Sequence, residues 1–180
     1  DGFDDKPSWQ KVVNPRGYDK DHEKQAFSII PGNLGRALSW LEVDTEDDVH
    51  TDGKVASEAI KLLKEYHDKP FFLAVGFFRP HTPYIVPRKY FEMYPIESIK
   101  LPAKVQKDRA DIPAMALYES RHAYRGHENM TNRQRREAIR AYYAATTFMD
   151  AQLGKLLDAV EQLGLTDNTI IVFASDHGFH

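Results

Sequence analysis

The chain has 180 residues, 42% hydrophobic and 28% charged, proportions ordinary for one soluble globular domain with a sizeable core. Its net charge of -3 excludes the basic footprint that nucleic-acid binding calls for. The lack of cysteine excludes disulfides, thiolate metal sites and a cysteine nucleophile within these residues.

No apolar run approaches the ~18 residues of a membrane span, and the best, Pro70 to Phe78, is about half that length, so no span is expected. The chain opens at Asp1 rather than a methionine. Its first residue is therefore read as an internal position, and the lack of a signal peptide carries no information. Residues 1–50 are the least patterned. Asp4-Asp5-Lys6-Pro7 and Asn14-Pro15-Arg16-Gly17 are turn chemistry around isolated aromatics, and Ala37 to Leu41 suggests a short strand. Glu42 to Asp52 is rich in acids but lacks the ligand spacing of an EF-hand, so a solvated loop is expected.

From Thr51 the pattern turns helical. Val55, Ala59, Leu62, Leu63 and Tyr66 recur by threes and fours, with Thr51 or Asp52 as N-cap and an end near His67. Pro70 then opens the apolar run Phe71 to Phe78, expected to be a strand buried on both faces. It ends in Arg79-Pro80-His81-Thr82-Pro83. Prolines flanking His81 remove backbone donors and fix φ, which makes a stiff loop. A site residue held at a sheet edge and a surface histidine in a proline-rich turn both fit that spacing.

Pro87 to Tyr94 suggests a short helix with Tyr90, Phe91 and Tyr94 in the core, and residues 95–130 read as a long excursion that shapes a pocket. His122 and His127 are expected to be exposed loop residues. Thr131-Asn132-Arg133-Gln134 fits a capping box that opens the longest helix. Its expected apolar stripe is Ile139, Tyr142, Thr146, Met149, Leu153, Leu156, Val160 and Leu163, with a bend near Gly154 and a stop at Gly164. Asp150, within it, reads as a structural hydrogen-bonding group, and Asn129-Met130-Thr131 is a glycosylation sequon by pattern alone.

The closing run, Thr169 to Ala174, is expected to be a second buried strand that ends in Ser175-Asp176-His177-Gly178. Strand, long helix and strand would form a right-handed crossover, which sets His81 and Asp176-His177 on one sheet edge, where open α/β sheets bind ligands. Asp176 and His177 are usable by a divalent cation but too few to hold one. Residue patterns alone thus end at an α/β domain with an anion or metal site at a sheet edge.

Lys69 to Tyr84 resembles the stretch around the active-site histidine of type I sulfatases. Ala141 to Leu157, continued through Leu163 to Gly178, is similar to their long helix and metal-binding strand, with iduronate-2-sulfatase-like members and their bacterial relatives as the nearest subgroup. The resemblance is dense over 51–94 and 131–178 and thin over 1–50 and 95–130. It implies an alkaline-phosphatase-like α/β fold, with a mostly parallel sheet flanked by helices and only part of the domain present. Residues 1–180 would then be an internal piece of a single catalytic domain. The implied activity is hydrolysis of a sulfate ester on a sulfated carbohydrate, beside one calcium ion and a formylglycine nucleophile made from Cys/Ser-x-Pro-x-Arg. Asp176 and His177 would be calcium ligands. His81 would contact the sulfate or move a proton, and Arg79, where some relatives have lysine, would take part in substrate binding. No Cys/Ser-x-Pro-x-Arg occurs here, so the formylglycine is expected outside these residues. A phosphodiesterase or phosphonate hydrolase of the same superfamily, and a non-catalytic glycan-binding relative, are the other readings. The resemblance suggests a periplasmic, secreted or lysosomal location. The oligomeric state is not specified.

Overall fold

Two short strands in parallel register form the centre of the fold, in a computed structural model that describes residues 5–103, 110–116 and 127–178. The chain runs through helix α1 (Tyr18–Asp21), strands β1 (Phe27–Ser28) and β2 (Ser39–Val43), helix α2 (Thr51–Tyr66), strand β3 (Tyr84–Pro87), helix α3 (Arg88–Glu92) and helix α4 (Asn132–Gln162). β2 lies between its neighbours. It pairs antiparallel with β1, Phe27 facing Trp40, and parallel with β3, Trp40 facing Tyr84 and Val43 facing Pro87. A parallel pair needs a crossover, and α2 supplies it. The mostly parallel α/β sheet expected from the resemblance is represented by this small mixed sheet.

Every residue of β3 is buried, because α4 lies on it. Tyr84, Val86, Tyr90 and Phe91 pack against Ala141, Ala144, Ala145 and Phe148 of α4. Phe148 meets the rings of Tyr90 and His50 edge-on, each at 5.4 Å. A second cluster joins Leu63 at the end of α2 to Ala159, Val160 and Leu165. Burying a side chain of this kind is worth roughly 1.5–3 kcal/mol.

The helix boundaries follow local chemistry. Thr131 and Gln134 form the complete capping box at the start of α4. At its end the amide of Gly164 donates to Glu161 O and that of Leu165 to Val160 O, the paired bonds of a Schellman stop. Which face is buried differs from the expected stripe. On α4 the buried positions are Ala138, Ala141, Ala144, Ala145, Phe148, Gln152, Ala159 and Val160; Val160 belongs to the expected stripe, whereas from Ala138 to Gln152 the row is displaced by about one residue, or roughly 100°, from the one drawn through Ile139, Tyr142 and Thr146. On α2 the buried residues are Asp52, Gly53, Ala56, Ala59 and Leu63, of which Ala59 and Leu63 were expected. Alanines take the closest contacts because they let backbones approach, while the larger side chains fill the flanks. α2 begins at Thr51 behind His50, which makes no side-chain cap, so Thr51 and Asp52 are inside the helix.

Four further expectations are corrected. Residues 71–78 and 168–175 are not strands; Phe72 is 82% exposed, Ile170 93% and Val172 85%. A strand is held by ladder partners, and neither segment has one among the described residues. The crossover through the long helix is accordingly not formed; the one observed is β2–α2–β3. The acid-rich stretch 42–52 is not simply solvated, since Asp47 and Asp52 are buried. His127 is half-buried and its Nε2 accepts from the Leu38 amide at 3.3 Å, whereas His122 lies outside the described residues. No helix among the described residues is long and apolar enough to cross a membrane.

Candidate functional site

His81 is an exposed residue between two buried ones, Arg79 and Thr82. Each flank is anchored to a different element. On the amino side, the Asp52 carboxylate in the first turn of α2 accepts from the amides of Phe78 (2.8 Å) and Arg79 (2.9 Å). On the carboxyl side, the Thr82 hydroxyl lies 2.9 Å from Ser39 Oγ and donates to Ala37 O at 3.1 Å, which ties the loop to the start of β2. The Arg79–Pro80 and Thr82–Pro83 peptides are both cis.

The Arg79 guanidinium runs beneath this loop. It donates to Asp19 Oδ2 at 2.9 Å, to His81 O at 3.1 Å and to Ile85 O at 3.3 Å. Burial pushes its pKa down, against the pull of Asp19 and Asp52. A guanidinium supplies five donors in a rigid fork, and here three acceptors on two sides of the loop use them. Among the described residues the Arg79 side chain faces inward and supports the loop.

Two glycines allow the anchors to converge. A Cβ at Gly17 would stand 2.1 Å from the Thr51 nitrogen, and one at Gly53 1.9 Å from the Asp47 carbonyl oxygen. With Gly17 against the start of α2, Asp19 Oδ1 accepts from the Thr51 amide (2.7 Å) and hydroxyl (2.8 Å), a carboxylate at the positive end of a helix. The other oxygen of the same carboxylate is free for Arg79. Burial pushes the Asp52 carboxyl up, and the Phe78 and Arg79 amides counter that shift.

The imidazole of His81 has one ring nitrogen engaged, Nδ1 at 2.5 Å from Thr82 O. A carbonyl only accepts, so Nδ1 carries the proton. Nε2 is then the atom left for chemistry: an acceptor when the ring is neutral, a donor when it is protonated. The ring leans on Phe78, centroids 4.9 Å apart, over which Lys20 Nζ sits at 3.4 Å.

Asp176 and His177 form a separate, exposed turn. Asp176 Oδ1 accepts from the His177 amide at 2.9 Å, Ser175 Oγ donates to His177 O at 2.7 Å, and His177 Nε2 stands 3.9 Å from Asp176 Oδ2. The described bonds join these residues to one another and not to His81. A shallow depression of about 710 Å³, lined by Val43, Asp44, Pro87 and Arg88, opens at the carboxyl ends of β2 and β3, away from the His81 end of β3. Its Arg88 is paired with Asp44 and Glu42.

The sulfatase family model matches residues 6–180. The chain belongs to the sulfatase family. It is 34% identical to a sulfatase of Formosa agariphila over 82% of its length, 30% identical to iduronate 2-sulfatase of Mus musculus over 76%, and 36% identical to an arylsulfatase of Clostridium perfringens over 74%. It spans 27–30% of the length of these sulfatases. Calcium, which the family implies, takes oxygen ligands; the Asp176 carboxylate is a donor of that kind, whereas the His177 imidazole is a softer one. Their number is short of the 6–8 ligands calcium takes, and no group of three or more His, Cys, Asp or Glu side chains able to hold a metal gathers among the described residues. Asp176 and His177 are therefore at most part of a ligand set.

What residue patterns missed is the support beneath His81. Asp47 and Asp52 fall in the stretch expected to be solvated, and no residue pattern marked Asp19, yet all three are buried. The glycines adjoining them, Gly17 and Gly53, were the available signal.

Proposed function

We propose that the whole protein is a sulfuric ester hydrolase that removes sulfate from a sulfated sugar, with His81 acting at the sulfate and Asp176 and His177 contributing to a calcium site. The observation that carries this reading is the match of residues 6–180 to the sulfatase family, with iduronate 2-sulfatase among the relatives.

Within these residues the chemistry available is proton transfer and orientation. As the S–O bond of the ester breaks, its electron pair goes to the leaving alcohol oxygen, which needs a proton. With Nδ1 held by Thr82 O, the protonated ring delivers that proton from Nε2, and general-acid help of this kind contributes on the order of 10²–10⁴-fold. Asp176 supplies a hard oxygen and His177 a nitrogen to a cation that, when bound, offsets charge on the sulfate oxygens. The nucleophile, formylglycine by resemblance, comes from outside the 180 residues.

The test is turnover of paired sulfate and phosphate esters of one sugar by the full-length protein. Sulfate release that His81→Ala reduces on the order of 10²-fold or more supports the reading. Preferential phosphate-ester turnover overturns it. Calcium content measured by atomic emission should fall in Asp176→Asn and His177→Ala; unchanged content removes both from the metal site.

A further inference from the structure

Asp52 is a carboxylate in the first turn of a helix, but the described bonds of its oxygens do not cap that helix. They reach instead to two successive amides, Phe78 with Oδ1 and Arg79 with Oδ2. A two-oxygen grip on adjacent peptide units fixes the direction of the backbone as well as its position. That direction governs where the Arg79 side chain departs, and its guanidinium returns to the His81 carbonyl and the Ile85 carbonyl on the far side of the loop.

We propose that Asp52 is a positioning residue for His81: by fixing the Phe78 and Arg79 amides it sets where the imidazole stands. The proposal deepens the reading of His81 as the group that acts at the sulfate, and it rests on that reading. Between the Asp52 clamp and the Thr82–Ser39 contact only Pro80 and His81 remain unanchored by a side chain from α2 or β2. With Nδ1 on Thr82 O, little freedom is left to the ring. Loss of the clamp lets the loop shift, and a misplacement of about 1 Å costs on the order of 100-fold in rate.

The experiment compares Asp52→Asn with Asp47→Asn in the full-length protein. Asp47 is also a buried acid, but it serves Tyr90, Gln152 and Lys155 rather than the loop. Turnover of a sulfate ester is followed against pH, together with the His81 ring signal by NMR. Asp52→Asn is expected to lower kcat by about 10- to 100-fold with KM changed much less. It should also move both the limb of the pH profile that His81 controls and the ring signal. Asp47→Asn should lower thermal stability and move neither. If Asp52→Asn behaves like Asp47→Asn in profile and ring signal, the proposal is overturned. If Asp52→Asn does not fold, Asp52→Glu, which keeps the charge and displaces the oxygens, is judged by the same two readouts. If His81→Ala retains turnover, the catalytic reading of His81 fails. The ring signal then decides the positioning role by itself: displacement in the Asp52 variant supports it, and an unmoved signal overturns it.

Discussion

Asp19 and Arg79 meet at 2.9 Å across 60 residues of sequence, their side chains 3% and 1% exposed. The pair links the irregular amino-terminal stretch to the loop that carries His81, and it is the deepest ion pair among the described residues. Removing one partner leaves an uncompensated buried charge, which typically costs about 3–5 kcal/mol. Asp19→Ala and Arg79→Ala should each destabilise the intact protein by that order in chemical denaturation. The double variant should lose much less than the sum of the two; additive losses would mean that the two groups act independently.

His50 gives the fold a pH-dependent component. Its ring is buried against Tyr18 and Phe148, with Nε2 2.7 Å from Thr45 Oγ1 and Nδ1 3.9 Å from Asp19. Burial lowers its pKa from 6.5 to about 4, with Arg79 acting in the same direction and Asp19 and Asp47 against it. Above pH 6.5 neither state carries the proton. Between 6.5 and about 4 only the unfolded chain binds it, so stability falls as pH falls, by up to about 3 kcal/mol in all. Asp52, whose carboxyl is pushed up by burial, works in the opposite sense. The His50 share is therefore read as the difference between the native protein and His50→Gln in urea melts from pH 7 to pH 4. Parallel stability curves for the two would remove it.

Asp47 enters at lower pH. Burial opposes its ionisation, but bonds from Lys89, Tyr90, Gln152 and Lys155 outweigh that and hold the carboxyl well below the usual range. A depressed carboxylate contributes stability above its unfolded value of 3.8 that is lost as pH falls below it. Asp47→Asn should therefore be less stable than the native protein at pH 7, and the gap should narrow in melts taken below pH 3.8. A gap that stays constant would show that the charge is not what the four donors recognise.

Gly53→Ala tests the close approach between α2 and the turn before it. The new Cβ would meet backbone, the Asp47 carbonyl oxygen at 1.9 Å, so the turn must move. Overpacking of this kind costs roughly 1–3 kcal/mol. Gly164→Ala, where nothing lies within 4 Å, carries backbone strain alone at φ 68° and is expected to cost about 1 kcal/mol. Thermal melts that rank Gly164→Ala as the worse of the two would contradict the packing described here.

Thr131→Ala removes the hydroxyl that accepts from the Gln134 amide at 3.2 Å and should cost about 1 kcal/mol. Thr131→Ser, which keeps the oxygen, should restore most of it. Equal losses in the two variants would assign the effect to the methyl group instead.

Local chemistry made much of the framework legible: the start of α2 near Thr51, the capping box at Thr131, the stop at Gly164 and the aromatic helix at Arg88–Glu92. These features depend on residues within four positions of each other. The strands were less legible. Phe71 to Phe78 and Thr169 to Ala174 have the composition of buried strands, but a strand is a relation between segments, and the parallel pairing observed joins Ser39–Val43, which overlaps the expected strand at Ala37 to Leu41, to Tyr84–Pro87. On α2 the expected Ala59 and Leu63 are buried, but the first half of the α4 row was misplaced for a similar reason: hydrophobicity favours Ile139 and Tyr142, whereas close backbone approach selects Ala138 and Ala141.

For the candidate site the division is sharper. His81 between two prolines, and Asp176-His177 after an apolar run, stand out in the sequence because rigidity and donor chemistry are written in adjacent residues. Family membership was legible for the same reason, through long matching stretches. Only the tertiary structure decided that Asp19, Asp52 and Arg79 are internal, because whether a charge faces water or a partner depends on residues 26 to 60 positions away. Pairing of that kind repays the desolvation of a carboxylate or a guanidinium only once the chain has folded around it.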